Sequence, residues 1–154
     1  EDVRDAFISR KARSVAELPR GATVGTSSPR RQALLRRMRG DLKVVDLRGN
    51  VETRLKKIGE GQADATLLAL AGLKRLGLTE HAAAVLSIDE FLPAVGQGAV
   101  AVQCRAESAE KYAEVLHGPT ARAVTLERAF QNALGGAPRR LFHRISLCLQ
   151  TSML

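Results

Sequence analysis

The chain has 154 residues, enough for one ordinary domain or for one domain with appended pieces. Its net charge of +8, from 24 Lys and Arg residues against 16 Asp and Glu residues, favours anionic partners: nucleic acid, an acidic membrane surface or a polycarboxylate ligand. The 3% of aromatic residues argues against a nucleic-acid platform built on base stacking, and no apolar run reaches the roughly 18 residues of a membrane helix.

The two cysteines, Cys104 and Cys148, do not make a disulfide framework, and they indicate a reduced cytoplasmic setting. No cluster of Cys and His residues has the spacing of metal ligands, so no metal site is predicted. The first residues are charged, unlike a secretory signal, and the chain does not begin with Met. We therefore expect a fragment of a longer protein.

Short β-type runs alternate with helical patterns as far as residue 88. The predicted elements, in chain order, are a strand at 22–26, a helix at 29–39, a strand at 43–47, a helix at 51–58, a strand at 65–69, a short helix at 72–76 and a strand at 85–88. This alternation predicts an α/β fold with a largely parallel sheet and helices on its faces.

The composition changes at residues 92–98, where one Pro and two Gly in LPAVGQG indicate a linker or hinge. A strand is predicted next, at 99–104, and Cys104 at its end is expected to be a small core residue. Two helices follow, at 108–116 and 119–134. From Ala137 the sequence is basic and irregular.

The first candidate site lies at residues 25–32, GTSSPRRQ, where a strand turns into a helix. Ser28 is a good N-cap, and Pro29 suits the first helical position. Free backbone N–H groups there can bind an anion, aided by the helix dipole, and Thr26, Arg30 and Arg31 surround that point. Plain helix capping followed by a solvated basic helix explains the same residues equally well.

Arg48 and Arg54 are the next candidates. Arg48 ends a predicted strand, and ligands of open α/β sheets bind beyond the carboxyl ends of strands, although a loop arginine in water is the simpler explanation. Arg54 lies on the flank of the apolar stripe of the helix at 51–58, as a residue bordering a cleft does. A side chain that reaches past the apolar face into solvent is an equally good explanation of Arg54.

Arg75, with Lys74, follows the strand at 65–69, and a basic pair on a short helix is usually just surface. Each of these signals is weak alone. Together they bring arginine to the same sheet edge after three successive strands, which predicts a pocket for a ligand with several carboxylates. A stand-alone anion-binding module fits this pattern, and a nucleic-acid-binding protein is suggested only by the net charge.

Several blocks of the chain resemble the hydroxymethylbilane synthase (porphobilinogen deaminase) family. They are RDAF at 4–7, GTSSPRRQ at 25–32, LRGNVETRL at 47–55, AGLKRLG at 71–77, LPAVGQGA at 92–99 and VTLERAF at 124–130. They occur in the family's order and spacing from about residue 1 to residue 136. Long blocks in register are far more specific than a single short motif.

The resemblance implies an enzyme of three α/β domains, the first two similar to type 2 periplasmic binding proteins. Residues 4–92 would be the second domain and 93–98 a hinge. Residues 99–117 would return to the first domain as a strand and helix, and residues 119–136 would open the third.

This family polymerises four porphobilinogen units into hydroxymethylbilane with release of ammonia, on a dipyrromethane cofactor bound through a cysteine thioether. The resemblance therefore implies that porphobilinogen and polypyrrole intermediates are the partners. It also implies a monomer in the cytoplasm or plastid stroma, with no nucleic-acid or membrane partner. The residues that would bind acetate and propionate groups are Thr26, Ser28, Arg30, Arg31, Arg48, Arg54 and Arg75, with Gln97 as a further contact.

Two departures from the family pattern lead us to expect that this chain alone is inactive. The segment with the family's catalytic aspartate should precede residue 1. The cofactor cysteine should follow Gly136 directly, where the chain instead reads APRR and the family pattern does not resume. A frameshift or an assembly error would explain the tail at 137–154, and Cys148 comes too late to be the cofactor cysteine.

Overall fold

The computed structural model describes residues 1–133. They divide into two compact units, Glu1–Gly98 and a second that begins at Ala99. The predicted end of the last helix, the tail at 137–154 and Cys148 lie outside the described residues. The predicted domain boundaries and hinge remain predictions.

The first unit contains one five-stranded sheet, in the order β3-β2-β4-β1-β5. The strands are β1 (Asp5–Ser9), β2 (Thr23–Gly25), β3 (Lys43–Val45), β4 (Ala65–Ala69) and β5 (Ala84–Val85). β2 is parallel to both β3 and β4, whereas β1 runs antiparallel to its neighbours β4 and β5. Four strands therefore share one direction, and the predicted mixed, largely parallel α/β sheet is confirmed.

The helices follow the predicted pattern closely. They are α1 (Pro29–Met38), α2 (Val51–Gly59), α3 (Leu70–Leu76) and α4 (Gly118–Ala133), with 3-10 helices at Thr79–His81 and Ala106–Val115. Ser28 caps α1, and the side chain of Asn50 caps α2 by accepting a bond from the Thr53 amide. α3 begins directly where β4 ends, two residues before its predicted start.

The core forms on both faces of the sheet because side chains alternate along each strand. Phe7 and Leu67 belong to one buried cluster with Phe91, while Ile8 and Leu68 belong to another cluster that includes α3. Within residues 1–133 no helix is long and apolar enough to cross a membrane. The same residues contain no group of three or more side chains of the types that ligate metals.

β1 was not predicted from the sequence, although this strand lies between β4 and β5. Its apolar run, Ala6–Ile8, is short and shows no polar alternation because both faces of the strand are buried. The strand therefore carries little of the periodic signal that identified the others.

The predicted strand at 99–104 is wrong, because no strand forms over these residues. Hydrophobic character alone does not make a strand, which also needs a neighbour to complete its backbone hydrogen bonds. Cys104 is consequently exposed and is not the core residue that we expected. The helix predicted at 108–116 is present as the 3-10 helix Ala106–Val115.

Candidate functional site

The carboxyl ends of β2, β3 and β4 meet at one edge of the sheet, because these three strands are parallel. The residues that follow them are the loop before α1, the loop before α2 and the start of α3. β1 begins at the same edge, since Asp5 pairs with Ala69 at the end of β4. The topology therefore brings the predicted arginine-bearing segments to a common edge.

The loop after β2 is held tightly against the sheet. Thr26 is fully buried; its amide donates to the carbonyl oxygen of Val45 at 2.8 Å, and its Oγ1 accepts from the Ser28 amide at 3.2 Å. A Cβ at Gly25 would come within 2.8 Å of the Leu47 side chain, so only glycine fits there. Thr26 thus fixes the conformation of the loop through the hydrogen bonds of its amide and its hydroxyl.

Ser28 caps α1 as predicted, with its Oγ accepting from the Arg31 amide at 3.4 Å. The neighbouring hydroxyl of Ser27 is buried and has no hydrogen-bond partner. It lies near the Asp46 carboxylate, without a hydrogen bond of good geometry. The polar contact with Ser27 is the largest cause that lowers the pKa of Asp46, and the hydrogen bond from Arg48 is the second. The Ser27 hydroxyl at the start of α1 therefore interacts first with the Asp46 carboxylate.

The predicted residues Arg30 and Arg31 both bind one buried carboxylate, that of Asp5. Arg30 Nη2 donates to Asp5 Oδ2 at 2.7 Å, and Arg31 Nη2 donates to Oδ1 at 2.6 Å. Arg31 also donates from Nε to Asp5 and from Nη1 to the Leu67 carbonyl oxygen. The Asp5 side chain is fully buried, and those of Arg30 and Arg31 are only 3% and 10% exposed.

Arg30 extends this cluster to the segment predicted as a hinge. Its Nη1 donates to the carbonyl oxygen of Leu92, and its Nη2 donates to Gln97 Oε1 at 3.2 Å. Gln97 Nε2 in turn donates to the Val3 carbonyl oxygen at 2.6 Å and to Asp5 at 3.2 Å. Gln97 therefore joins the cluster directly.

The Arg30 guanidinium also lies over the ring of Phe91, 5.6 Å from its centroid. Its Nε is buried without a partner, and burial lowers the pKa of Arg30 against the opposing effect of Asp5. A guanidinium has five N–H donors, and three of them are bonded in each of Arg30 and Arg31. Within residues 1–133, two donors of each arginine have no partner, and one of the two in Arg30 is the buried Nε.

Arg54 is the predicted residue that carries the least compensated charge near this cluster. Its Nε donates to the Gly49 carbonyl oxygen at 2.8 Å, and its terminal nitrogens have no partner among residues 1–133. Burial first, and the positive charge of Arg31 second, lower its pKa. Two neighbouring guanidiniums that repel each other are stabilised by an added anion.

Arg48 is far more accessible, with 81% of its side chain exposed, and its Nε donates to Asp46 Oδ2 at 2.9 Å. Exposed pairs of this kind are weak, so Arg48 can exchange this partner for another carboxylate at little cost. Arg75 is also exposed, on the last turn of α3, and no contact in the described part of the chain joins it to the other predicted residues.

The residue that the sequence analysis missed is Asp5. Its partners Arg30 and Arg31 lie 25 and 26 positions away in the sequence, so no local spacing relates them. The available signal was an acidic residue directly before an apolar run in a strongly basic chain. Such a carboxylate is rarely buried without a cationic partner.

Comparison with known proteins assigns the family. Residues 1–113 match the family model described as "Porphobilinogen deaminase, dipyromethane cofactor binding domain". The match defines a cofactor-binding domain that covers well over half of the chain. The chain belongs to the porphobilinogen deaminase family, which confirms the resemblance.

Curated relatives agree with this assignment. The porphobilinogen deaminase of Nitrobacter winogradskyi is 56% identical over 142 residues, which cover 90% of this chain and 45% of the relative. The chloroplastic porphobilinogen deaminase of Pisum sativum is 51% identical over 143 residues, which cover 90% of this chain and 39% of the relative. The chain thus spans less than half the length of these relatives.

Among solved structures, a YaeC-family lipoprotein from Enterococcus faecalis covers 88% of this chain and 65% of its own, at 14% identity and a TM-score of 0.41. A TM-score this low does not define the fold of the chain.

Proposed function

We propose that this chain supplies the carboxylate-binding side of the cleft in a hydroxymethylbilane synthase. In this proposal it holds the acetate and propionate groups of the dipyrromethane cofactor and of the growing polypyrrole, while porphobilinogen units are added with loss of ammonia. We also propose the finer fold assignment: residues 4–92 as a domain similar to type 2 periplasmic binding proteins, followed by a hinge at 93–98.

The observation that carries the proposal is the Arg54 guanidinium, whose terminal nitrogens have no partner among residues 1–133 and whose pKa is lowered by burial and by the charge of Arg31. The donors of arginine match carboxylate oxygens, which accept several hydrogen bonds at once. This donor set fits a ligand with carboxylate groups, and a cofactor with acetate and propionate arms meets that requirement.

The residues then divide into two roles. Arg48 and Arg54 offer accessible donors that can meet a carboxylate without breaking a buried bond. Arg30 and Arg31 are held by Asp5, and the ligand would reach only their remaining free donors. Ser28 and Thr26 support this arrangement by capping α1 and fixing the loop, and Gln97 supports it by holding Arg30. Arg75 would contribute from the edge of the cleft.

The chain's own part in the chemistry is therefore binding and orientation. Dipyrromethane, when bound, supplies the pyrrole carbon to which the first porphobilinogen is joined. The Asp5 carboxylate is fully buried and accepts hydrogen bonds from two arginines, so it is not placed to reach a reacting carbon. Loss of ammonia and ring coupling would then depend on an acid/base group outside the described residues.

Titration of the full chain with a dipyrromethane that carries acetate and propionate groups tests the proposal. We expect this compound to bind in preference to its neutral ester. Each charge-assisted contact contributes about 1.5–3 kcal/mol, so Arg54→Ala should weaken binding about tenfold or more. Arg48→Ala should have a smaller effect in the same direction, because its side chain is largely solvated.

Arg36→Ala is the matched control, since Arg36 is exposed on α1, outside the cluster. The titrations are made at two salt concentrations. If Arg36→Ala weakens binding as much as Arg54→Ala, and both effects vanish at high salt, binding is diffuse electrostatics and the proposal is wrong. Equal binding of small monocarboxylates and the dipyrromethane would favour the stand-alone anion-binding module instead.

A further inference from the structure

A second cleft, of about 430 Å³, opens at the other edge of the sheet. β1 ends there, because Ser9 pairs with Ala65 at the start of β4, whereas Asp5 pairs with Ala69 at its end. The cleft lies between the end of β1, helix α2 and the 3-10 helix Thr79–His81. It is thus separated by the length of β1 from the edge that carries Arg30 and Arg31.

The floor of this cleft is apolar and its rim is basic. Ile8 and Ile58 are 4% and 6% exposed and line the floor with Leu55. The charged or titratable side chains of the lining are Arg10, Lys56 and His81, with Glu60 as the one acidic member. An apolar floor under a few convergent polar groups is the usual composition of a small-molecule site, and the volume lies within the usual range. The size favours a small organic ligand over a macromolecule.

Arg10 provides the strongest recognition group of the cleft. Its guanidinium has no hydrogen-bond or ion-pair partner in the part of the chain that the structure describes. It lies over the end of α2, where a Cβ on Gly59 would be 3.4 Å from its Nη2. The absence of a side chain at Gly59 leaves room for it, and the negative end of the helix dipole favours its charge there.

The neighbouring charges leave the rim net positive. Lys56 has only a long contact with Glu60, 3.8 Å between Nζ and Oε1, and pairs at this helical spacing contribute little. No acidic side chain among residues 1–133 pairs with Arg10. One guanidinium and one ammonium beside apolar residues are suited to an anionic head attached to an apolar body.

We infer that this cleft is a second binding site, for a small organic anion with one carboxylate or phosphate head and an apolar body. Arg10 and Lys56 bind the head, and the body packs on Ile8, Leu55 and Ile58. The site does not rest on the carboxylate-binding function proposed above, because it shares no residue with that cluster.

Backbone amide shifts of the full chain, measured by NMR during titration with benzoate, test the inference. We expect saturable shifts at Ser9, Arg10 and Ile58, and binding about tenfold weaker for the neutral analogue benzamide. Arg10→Gln should reduce benzoate affinity by a similar factor, and Lys56→Gln provides a second variant in case the first does not fold. Arg20→Gln, an exposed arginine elsewhere, should leave it unchanged.

Three results would overturn the inference. Benzamide could bind as tightly as benzoate, which removes the role of the basic rim. Inorganic phosphate could bind as tightly as benzoate, which removes the role of the apolar floor. Arg20→Gln could weaken binding as much as Arg10→Gln, which reduces the effect to net charge. The two proposals fail separately, because the benzoate shifts are measured at Ser9, Arg10 and Ile58, and none of these residues belongs to the cluster around Asp5.

Discussion

At the scale of single residues, Asp5 decides how the basic cluster is held. Two guanidiniums that are at most one-tenth exposed repel each other, and burial removes the water that would screen them. One carboxylate between them pairs with both guanidiniums and reduces the charge of the buried group to +1. A buried group of this kind costs free energy to desolvate, but removing one member leaves charge without compensation, which costs more.

Asp5→Asn should therefore destabilise the chain strongly. Removing one partner of a buried ion pair typically costs about 3–5 kcal/mol, and here two arginines lose their counter-ion. Urea unfolding followed by circular dichroism measures this as a lower midpoint. Glu60→Gln is the control, because the ion pair of Glu60 with Lys56 is exposed and long, at 3.8 Å, and its loss should move the midpoint little. Equal midpoints for the two variants would contradict this account of Asp5.

At the scale of elements, the sequence predicted those parts whose signals are local. α1 has Ser28 and Pro29 at its start, α2 has the Asn50 cap, and β4 is a mostly apolar run, so all three were predicted within a residue or two of their bounds. β1 was missed because its identity depends on β4 and β5, which are distant in the sequence. The strand at 99–104 was overpredicted because composition does not show whether a pairing partner is present.

The site divides in the same way. The common edge of Arg31 and Arg48 followed from the alternation of strands and helices, since parallel strands bring their ends together. The contact of Arg30 with Leu92 and Gln97 could not be predicted, because it joins α1 to a segment more than sixty residues away. Local pattern thus places side chains at an edge, but long-range packing decides their partners.

The turn before α2 depends on one glycine. Gly49 has φ of +128°, and a Cβ there would come 2.8 Å from Thr53 Cβ. Gly49→Ala therefore adds a clash to backbone strain of about 1–3 kcal/mol. Gly61→Ala, where φ is +77° with open space around the position, should show the strain alone. Thermal unfolding should rank Gly49→Ala below Gly61→Ala, and the opposite order would contradict this explanation.

At the scale of the whole molecule, we expect binding without turnover. The full chain, purified from a host that lacks its own enzyme, should form no hydroxymethylbilane from porphobilinogen. The carboxylate most deeply buried in the described residues, Asp5, is committed to Arg30 and Arg31. The porphobilinogen deaminase of Nitrobacter winogradskyi is the positive control in the same spectrophotometric assay. Measurable turnover by the chain alone would contradict the proposal that this chain only binds and orients the ligand.

The place of β1 in the sheet also has a consequence for folding. β1 precedes β4 and β5 in the chain, yet it pairs with both of them, and their residues begin only at Ala65 and Ala84. Its hydrogen bonds therefore close loops of more than fifty residues, and the entropy of closing them precedes any gain from packing. Contacts so far apart in the sequence slow folding. During synthesis, Phe7 and Ile8 stay without their sheet partners until most of the first unit has been made.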